Sequence, residues 1–176
     1  AALSVSSNFT EIFKNLKNPY IGTKYSNEIV FSILKREKYH NRISHETLKE
    51  NELFDITAKI LSDGNIIGWF QDEMEFGPRA LGNRSILADP RNPDMKDIIN
   101  KKIKRRESFR PFAPVILEKY QNEWFEDKFE NLYMSSLSLV KKNKRLFVPA
   151  ITHIDGTARV QIVDKEKNLK LNNLIE

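Results

Sequence analysis

The sequence contains no cysteine, so disulfides, thiolate metal sites and cysteine nucleophiles are excluded. No apolar run approaches the roughly 20 residues of a membrane span, and no secretory leader pattern is visible; the expectation is a cytoplasmic protein without membrane contact. Histidine is scarce: His40, His45 and His153 are too scattered for a His-Glu-x-x-His metal motif, and no metal site is expected in this chain. The phosphate loop G-x-x-x-x-G-K-[ST] and the dinucleotide fingerprint G-x-G-x-x-G are both missing. Any nucleotide would therefore be held by side-chain cations and turn amides. Spacing reveals no Ser-His-Asp arrangement, because triads are defined in space.

What the chain does have is cationic charge gathered in one stretch. Between Arg79 and Arg110 lie ten basic residues against four acidic ones, a balance of +6 in a chain whose total is +5. The rest of the sequence therefore sums to −1. Such a concentrated positive field suits phosphate or nucleic acid. With 176 residues, 40% of them hydrophobic, one sizeable core and one domain are expected.

The pattern predicts a helix over residues 1–18 (Phe9, Ile12, Phe13, Leu16), an extended piece at 19–22, and a helix entered at Ser26-Asn27-Glu28 with Ile29, Ile33 and Leu34 on one face. A polar loop follows near 38–44. A further helix is expected over 52–62, with Leu53, Ile56, Ile60 and Leu61 at helical spacing and Gly64 as its stop. The run Ile66 to Phe70 reads as a buried strand, and Gly77-Pro78 as a turn leading to a strand over 86–88. Asn92-Pro93 starts a helix whose buried stripe is Met95, Ile98, Ile99 and Ile103; Lys101 and Lys104 lie away from that stripe, as a solvated face would. Pro111 and Pro114 keep 109–114 extended. Further on come a strand at 115–117, a helix over 118–127, a strand over 137–140 and a basic turn at 141–145. Asp155-Gly156 joins two strands, with Thr157, Arg159 and Gln161 on one face and Ala158, Val160 and Ile162 on the other. Leu169, Leu171, Leu174 and Ile175 form a last amphipathic helix without a stop signal, so a fragment of a longer protein is expected.

The stretch F-G-P-R-A-L-G-N-R-S-I-L-A-D-P-R over 76–91, followed by Met95-Lys96-Asp97, Asn100, Ile103-Lys104, Arg106-Glu107, F-R-P-F-A-P over 109–114 and H-I-D-G-T-A-R-V-Q over 153–161, resembles the C-terminal domain of the nodulation-U and antibiotic O-carbamoyltransferase family. The likeness extends upstream through 64–71 and weakly to 20–27. It implies an α/β, YrdC-like twisted open mixed sheet flanked by helices, occupying residues 1–176 as a truncated single domain. It further implies that ATP with Mg2+ and carbamoyl phosphate bind here and yield a carbamoyl-adenylate. The partner is a Kae1-like N-terminal domain of the same polypeptide, absent from this chain, which holds iron or another metal and passes the carbamoyl group to a hydroxyl acceptor.

Carried over by position, the resemblance implies catalytic roles for Lys104 and Arg110, and substrate contacts from Arg79, Asn83, Arg84, Lys104, Arg110, His153 and Arg159. Guanidinium groups suit this chemistry, since they bind phosphate bidentately and neutralise charge on a leaving pyrophosphate. Small molecules are the expected ligands, nucleic acid is not, and a homodimer is left open. The competing readings are a basic tRNA-binding module of the same fold and a noncatalytic domain with a decayed pocket.

Overall fold

The computed structural model describes residues 18–36, 42–127 and 132–176. The helix predicted over 1–18 and most of the loop predicted near 38–44 lie outside the described residues.

Two helices precede the first strand. α1 (Asn27–Leu34) starts where the sequence places it, with the Ser26 hydroxyl accepting from the Ile29 N–H, yet none of its residues is buried. α2 (Glu50–Ser62) begins as the Glu52 carboxylate accepts from the Lys49 N–H, and it ends at Gly64, whose φ of +83° suits glycine. Its predicted inward stripe is corrected: Leu53, Ile56 and Ile60 are 39–43% exposed, whereas Phe54 and Thr57 are buried. The helix has two apolar stripes side by side, and the one holding the largest ring wins, because Phe54 packs against Trp69 at 6.4 Å between centroids.

β1 (Ile67–Phe70) pairs antiparallel with β2 (Arg84–Leu87), Ile67 opposite Leu87 and Phe70 opposite Arg84. β1 is half-buried rather than buried as predicted. A two-stranded ribbon covers one face only, so Trp69 turns in while Phe70 remains 57% exposed. α3 (Met95–Ile98) opens with the Asn92 carbonyl side chain accepting from the Asp94 N–H, as the Asn-Pro signal implies. It then widens into a π-helical segment, Ile99–Lys104, closed by Arg105 in the left-handed conformation. Met95 and Ile99 are buried as predicted, but Ile98 is only half-buried and Ile103 is 43% exposed. The stripe stops at Ile99, where the phase of 3.6 residues per turn is lost.

β3 (Val115–Leu117) runs parallel to β6 (Gln161–Val163), and β4 (Ser138–Leu139) antiparallel to β5 (Thr157–Ala158). The expected helix over 118–127 is shorter: a 3-10 turn, Glu118–Tyr120, passes into α4 (Gln121–Trp124), and Phe125 is already extended and bridged to Val140. Asp155-Gly156 forms the expected turn, but it is preceded by a turn at 149–151 rather than by a strand. The inward face holds, since Ala158, Val160 and Ile162 are all buried. α5 (Leu169–Ile175) closes the described chain.

The result is a small mixed α/β arrangement whose strands pair, among the described residues, into three two-stranded sheets rather than one. Phe54, Trp69, Leu117, Val163, Leu171 and Leu174 form one core cluster, and Phe125, Val140, Val148, Val160 and Ile162 belong to a second. No helix among the described residues is long and apolar enough to cross a membrane.

Gly82 is the tightest backbone position. Its φ is +107°, and a Cβ there would lie 2.2 Å from Leu171 Cδ2 in the core. Gly82→Ala is expected to lower stability by about 2–4 kcal/mol, from left-handed strain plus overpacking. Gly68→Ala, where a Cβ meets nothing within 4 Å, stays within about 0.5 kcal/mol. Urea unfolding of the two variants checks both.

Candidate anion-binding site

The turn between β1 and β2 is built on a buried carboxylate. Glu75, bridged to Tyr20, turns its side chain inward, and Oε1 accepts from three main-chain N–H groups: Leu81 at 2.7 Å, Asn83 at 2.7 Å and Arg84 at 3.0 Å. The Leu81 carbonyl then accepts from the Tyr20 hydroxyl at 2.8 Å and from Gln161 Nε2 at 2.7 Å. Burial alone raises the Glu75 carboxyl, but the main-chain donors together outweigh it and hold the group below the ordinary glutamate range.

A side-chain amide network lies behind that turn. Asn83 is 2% exposed; its Oδ1 accepts from Gln71 Nε2 at 3.0 Å and Asn168 Nδ2 at 2.8 Å, and its Nδ2 donates to the Glu73 carbonyl at 2.7 Å. Trp69 Nε1 donates to Gln71 Oε1 at 2.6 Å, extending the network into the core. Arg84 is equally committed. Its guanidinium donates to the carbonyls of Gln71, Asn83, Asp72 and Thr23 and lies 3.6 Å from the centre of the Phe70 ring. Asn83 and Arg84, both carried over as substrate contacts, thus have their side-chain donors and acceptors spent on the chain itself.

The other cations of the stretch sort by partner. Arg91 grips Asp89, lowering that carboxyl, and Lys101 lies 3.6 Å from Asp97. Arg106 donates to buried Asn100 Oδ1 at 2.7 Å and lies over the Phe112 ring at 4.9 Å. Asn100 in turn donates to the Ser108 and Arg110 carbonyls, fixing the loop that carries Arg110. The Arg110 side chain is exposed and pairs with Glu107 at 2.9 Å. Among the described residues, Arg79, Lys96, Lys104 and Arg159 have no side-chain hydrogen bond or ion pair.

These unpaired cations surround one cleft of about 170 Å³, lined by Ala80, Gly82, Ser85, Ile86, Lys104, Phe112, Ala113 and Gln161 among others. Lys104 is a wall residue. Arg79 directly precedes Ala80, and Arg159 is two residues before Gln161, on the same side of an extended segment. Arg110 is two residues before Phe112. The structure thus gathers Arg79, Lys104, Arg110 and Arg159 around one opening, and places Asn83 and Arg84 beneath it as its frame.

His153 flanks this arrangement. The Thr157 hydroxyl donates to Asp155 Oδ1 at 2.7 Å, so it accepts from His153 Nδ1 at 3.0 Å, which fixes the neutral ring with its hydrogen on Nδ1. Nε2 is buried without a partner. Burial, with Arg159 and Lys96 nearby, pushes the imidazole below the ordinary histidine value against the pull of Asp155. Sequence reasoning missed Glu75, Gln71, Asn100 and Asn168. The available signal was a pair of acidic residues, Glu73 and Glu75, alternating into a turn otherwise dominated by cations.

Residues 58–176 match the family described as Carbamoyltransferase C-terminus. The chain belongs to this family. It is 43% identical over 163 residues to Uncharacterized protein MJ1058 of Methanocaldococcus jannaschii, an alignment covering 93% of the chain and 27% of that protein. It is 51% identical to Nodulation protein NolNO of Sinorhizobium fredii over 63% of the chain and 17% of that protein. It is 40% identical to the 3'-hydroxymethylcephem-O-carbamoyltransferase of Amycolatopsis lactamdurans over 69% of the chain and 23% of that protein. The chain thus spans about a third or less of the length of these carbamoyltransferase-family relatives.

Both titrating groups make acid the weak side of this site. The folded pKa of Glu75 is depressed, so its contribution is present above the ordinary glutamate value and is lost as pH falls through the folded one. The same sign holds for His153, whose neutral form the fold prefers. Glu75→Gln is expected to cost about 2–4 kcal/mol and to flatten the loss of stability below about pH 4.3, whereas His153→Gln flattens it just below about pH 6.5. Unfolding curves across that range check the assignment.

Proposed function

We propose that this chain is the carbamoyl-phosphate- and ATP-binding domain of an O-carbamoyltransferase, with the cleft beside Gly82 as its phosphate site. The observation carrying this reading is that Arg79, Lys104 and Arg159 remain unpaired around one opening, while neighbouring cations of the same stretch are engaged by the chain. A protein holding guanidinium groups without counter-ions on a rigid frame has a place for an external anion. Family membership and the printed names of the carbamoyltransferase relatives support the group that anion carries.

In this reading Arg79 and Arg159 bind phosphate oxygens bidentately, and Lys104 supplies a point charge from the cleft wall. Arg110 exchanges Glu107 for the ligand, an exchange that costs little because the pair is exposed. Carbamoyl phosphate and ATP give a carbamoyl-adenylate, and the cations neutralise the charge that collects on the departing phosphate and pyrophosphate. Among the described residues no group of three or more acidic or histidine side chains could hold a metal, so Mg2+ would arrive on the nucleotide's own phosphates. A YrdC-like sheet is part of the same proposal, with the carbamoyl group then passed to a hydroxyl acceptor in a Kae1-like N-terminal domain. A nucleic-acid reading gains no support from this geometry, because phosphate-backbone binding needs charge rather than a framed cleft.

The test is calorimetric titration of the full-length polypeptide with carbamoyl phosphate, and separately with ATP and magnesium. Arg79→Ala, Lys104→Ala and Arg159→Ala are each expected to weaken binding by about tenfold or more with unfolding unchanged, since a hydrogen bond to a charged group contributes about 1.5–3 kcal/mol. Lys102→Ala, on the exposed helix face, should leave binding as it was. Wild-type affinity in all three site variants overturns the assignment.

A further inference from the structure

On the side of β3 away from β6 lies a second cavity, of about 300 Å³ and apolar, lined by Val115, Ile116 and Leu117 and by Tyr120, Trp124 and Phe125 among others. Three consecutive residues of one strand line it. Since alternate side chains point to opposite faces, this means that the cavity opens on the strand's main chain.

The hydrogen-bond pattern shows which groups face it. In a parallel pair, alternate residues direct their N–H and C=O to the partner. Gln161 N donates to the Pro114 carbonyl at 2.9 Å, and the register sets Val115 opposite Gln161, so Ile116 is the residue of β3 that bonds with β6. Val115 and Leu117 therefore turn their N–H and C=O groups toward the cavity. Among the described residues nothing accepts or donates there.

A second orphan lies at the end of the same strand. Asn172 is 7% exposed, its Oδ1 has no hydrogen-bond partner, and it lines a recess with Leu117, Lys119 and Glu176. A buried acceptor without a donor costs on the order of 1–3 kcal/mol, and an apolar small molecule would leave it unsatisfied. An extended peptide supplies both needs, apolar side chains for the cavity and N–H groups for the edge and for Asn172.

We propose that this groove receives an extended strand from the remainder of the polypeptide in the longer members of the family, making β3 the middle strand of a three-stranded sheet. The chain covers only 27% and 32% of two of its relatives, so most of such a polypeptide lies outside it and is tethered at high effective concentration. Strand addition to a free edge, with side chains seated in an apolar groove, is an established recognition mode. It also removes an exposed edge that would otherwise invite aggregation.

Amide exchange in the full-length protein tests this. The Val115 and Leu117 amides are expected to exchange as slowly as that of Ile116, with no change on dilution. Replacing the rim residue Tyr120 by aspartate should speed Val115 and Leu117 by about tenfold or more while Ile116 stays protected by β6. Fast exchange at Val115 and Leu117 in the wild type overturns the proposal, as does protection that Tyr120→Asp leaves intact. Protection lost on dilution would assign the groove to a second copy of the chain and equally overturn it.

Discussion

Everything around the candidate site depends on one buried carboxylate receiving three main-chain hydrogens. Glu75 closes the turn from Leu81 to Arg84, and without it those N–H groups would point into a water-poor interior with no acceptor. The closed turn fixes Gly82 against Leu171, places Asn83 in the amide network and directs Arg84 to its four carbonyls. The cleft is the space left beside that frame.

The frame also explains how a strongly basic stretch folds without tearing itself apart. Like charges crowded together oppose compaction. Here the conflict is reduced by turning Arg84 into a binder of carbonyls and laying Arg106 over an aromatic ring, while Arg91 and Arg110 take carboxylates. What survives is a subset of cations whose field is directed at one opening. The neutral His153 fits this economy, since a third positive charge beside Arg159 and Lys96 would work against the fold.

Much of this was legible in the sequence. Gly64 and Asn92-Pro93 marked helix ends by chemistry that operates locally, and the alternation through Ala158, Val160 and Ile162 gave the buried face correctly. The family resemblance was legible too, from the run over 76–91. The failures share a cause: the deciding interaction was distant in the chain. Leu53, Ile56 and Ile60 made as good a stripe as Phe54 and Thr57 until Trp69 selected between them. Asn83 and Arg84 looked like ligand contacts because their partners, Asn168 and Thr23, lie 85 and 61 residues away. Spacing also gave no warning that α3 would unwind into a π-helical turn.

The hydrogen bond from Tyr20 to the Leu81 carbonyl bears on where this domain begins. Sequence similarity to the family starts at residue 58, yet Tyr20 closes the site's turn, Thr23 accepts from Arg84, and Lys24 pairs with Glu73. The segment that evolution-based matching leaves out is stitched to the very loop it surrounds. The physical unit is therefore larger than the recognisable one, and a boundary drawn at the first matched residue would cut through the wall of the cleft rather than through a linker.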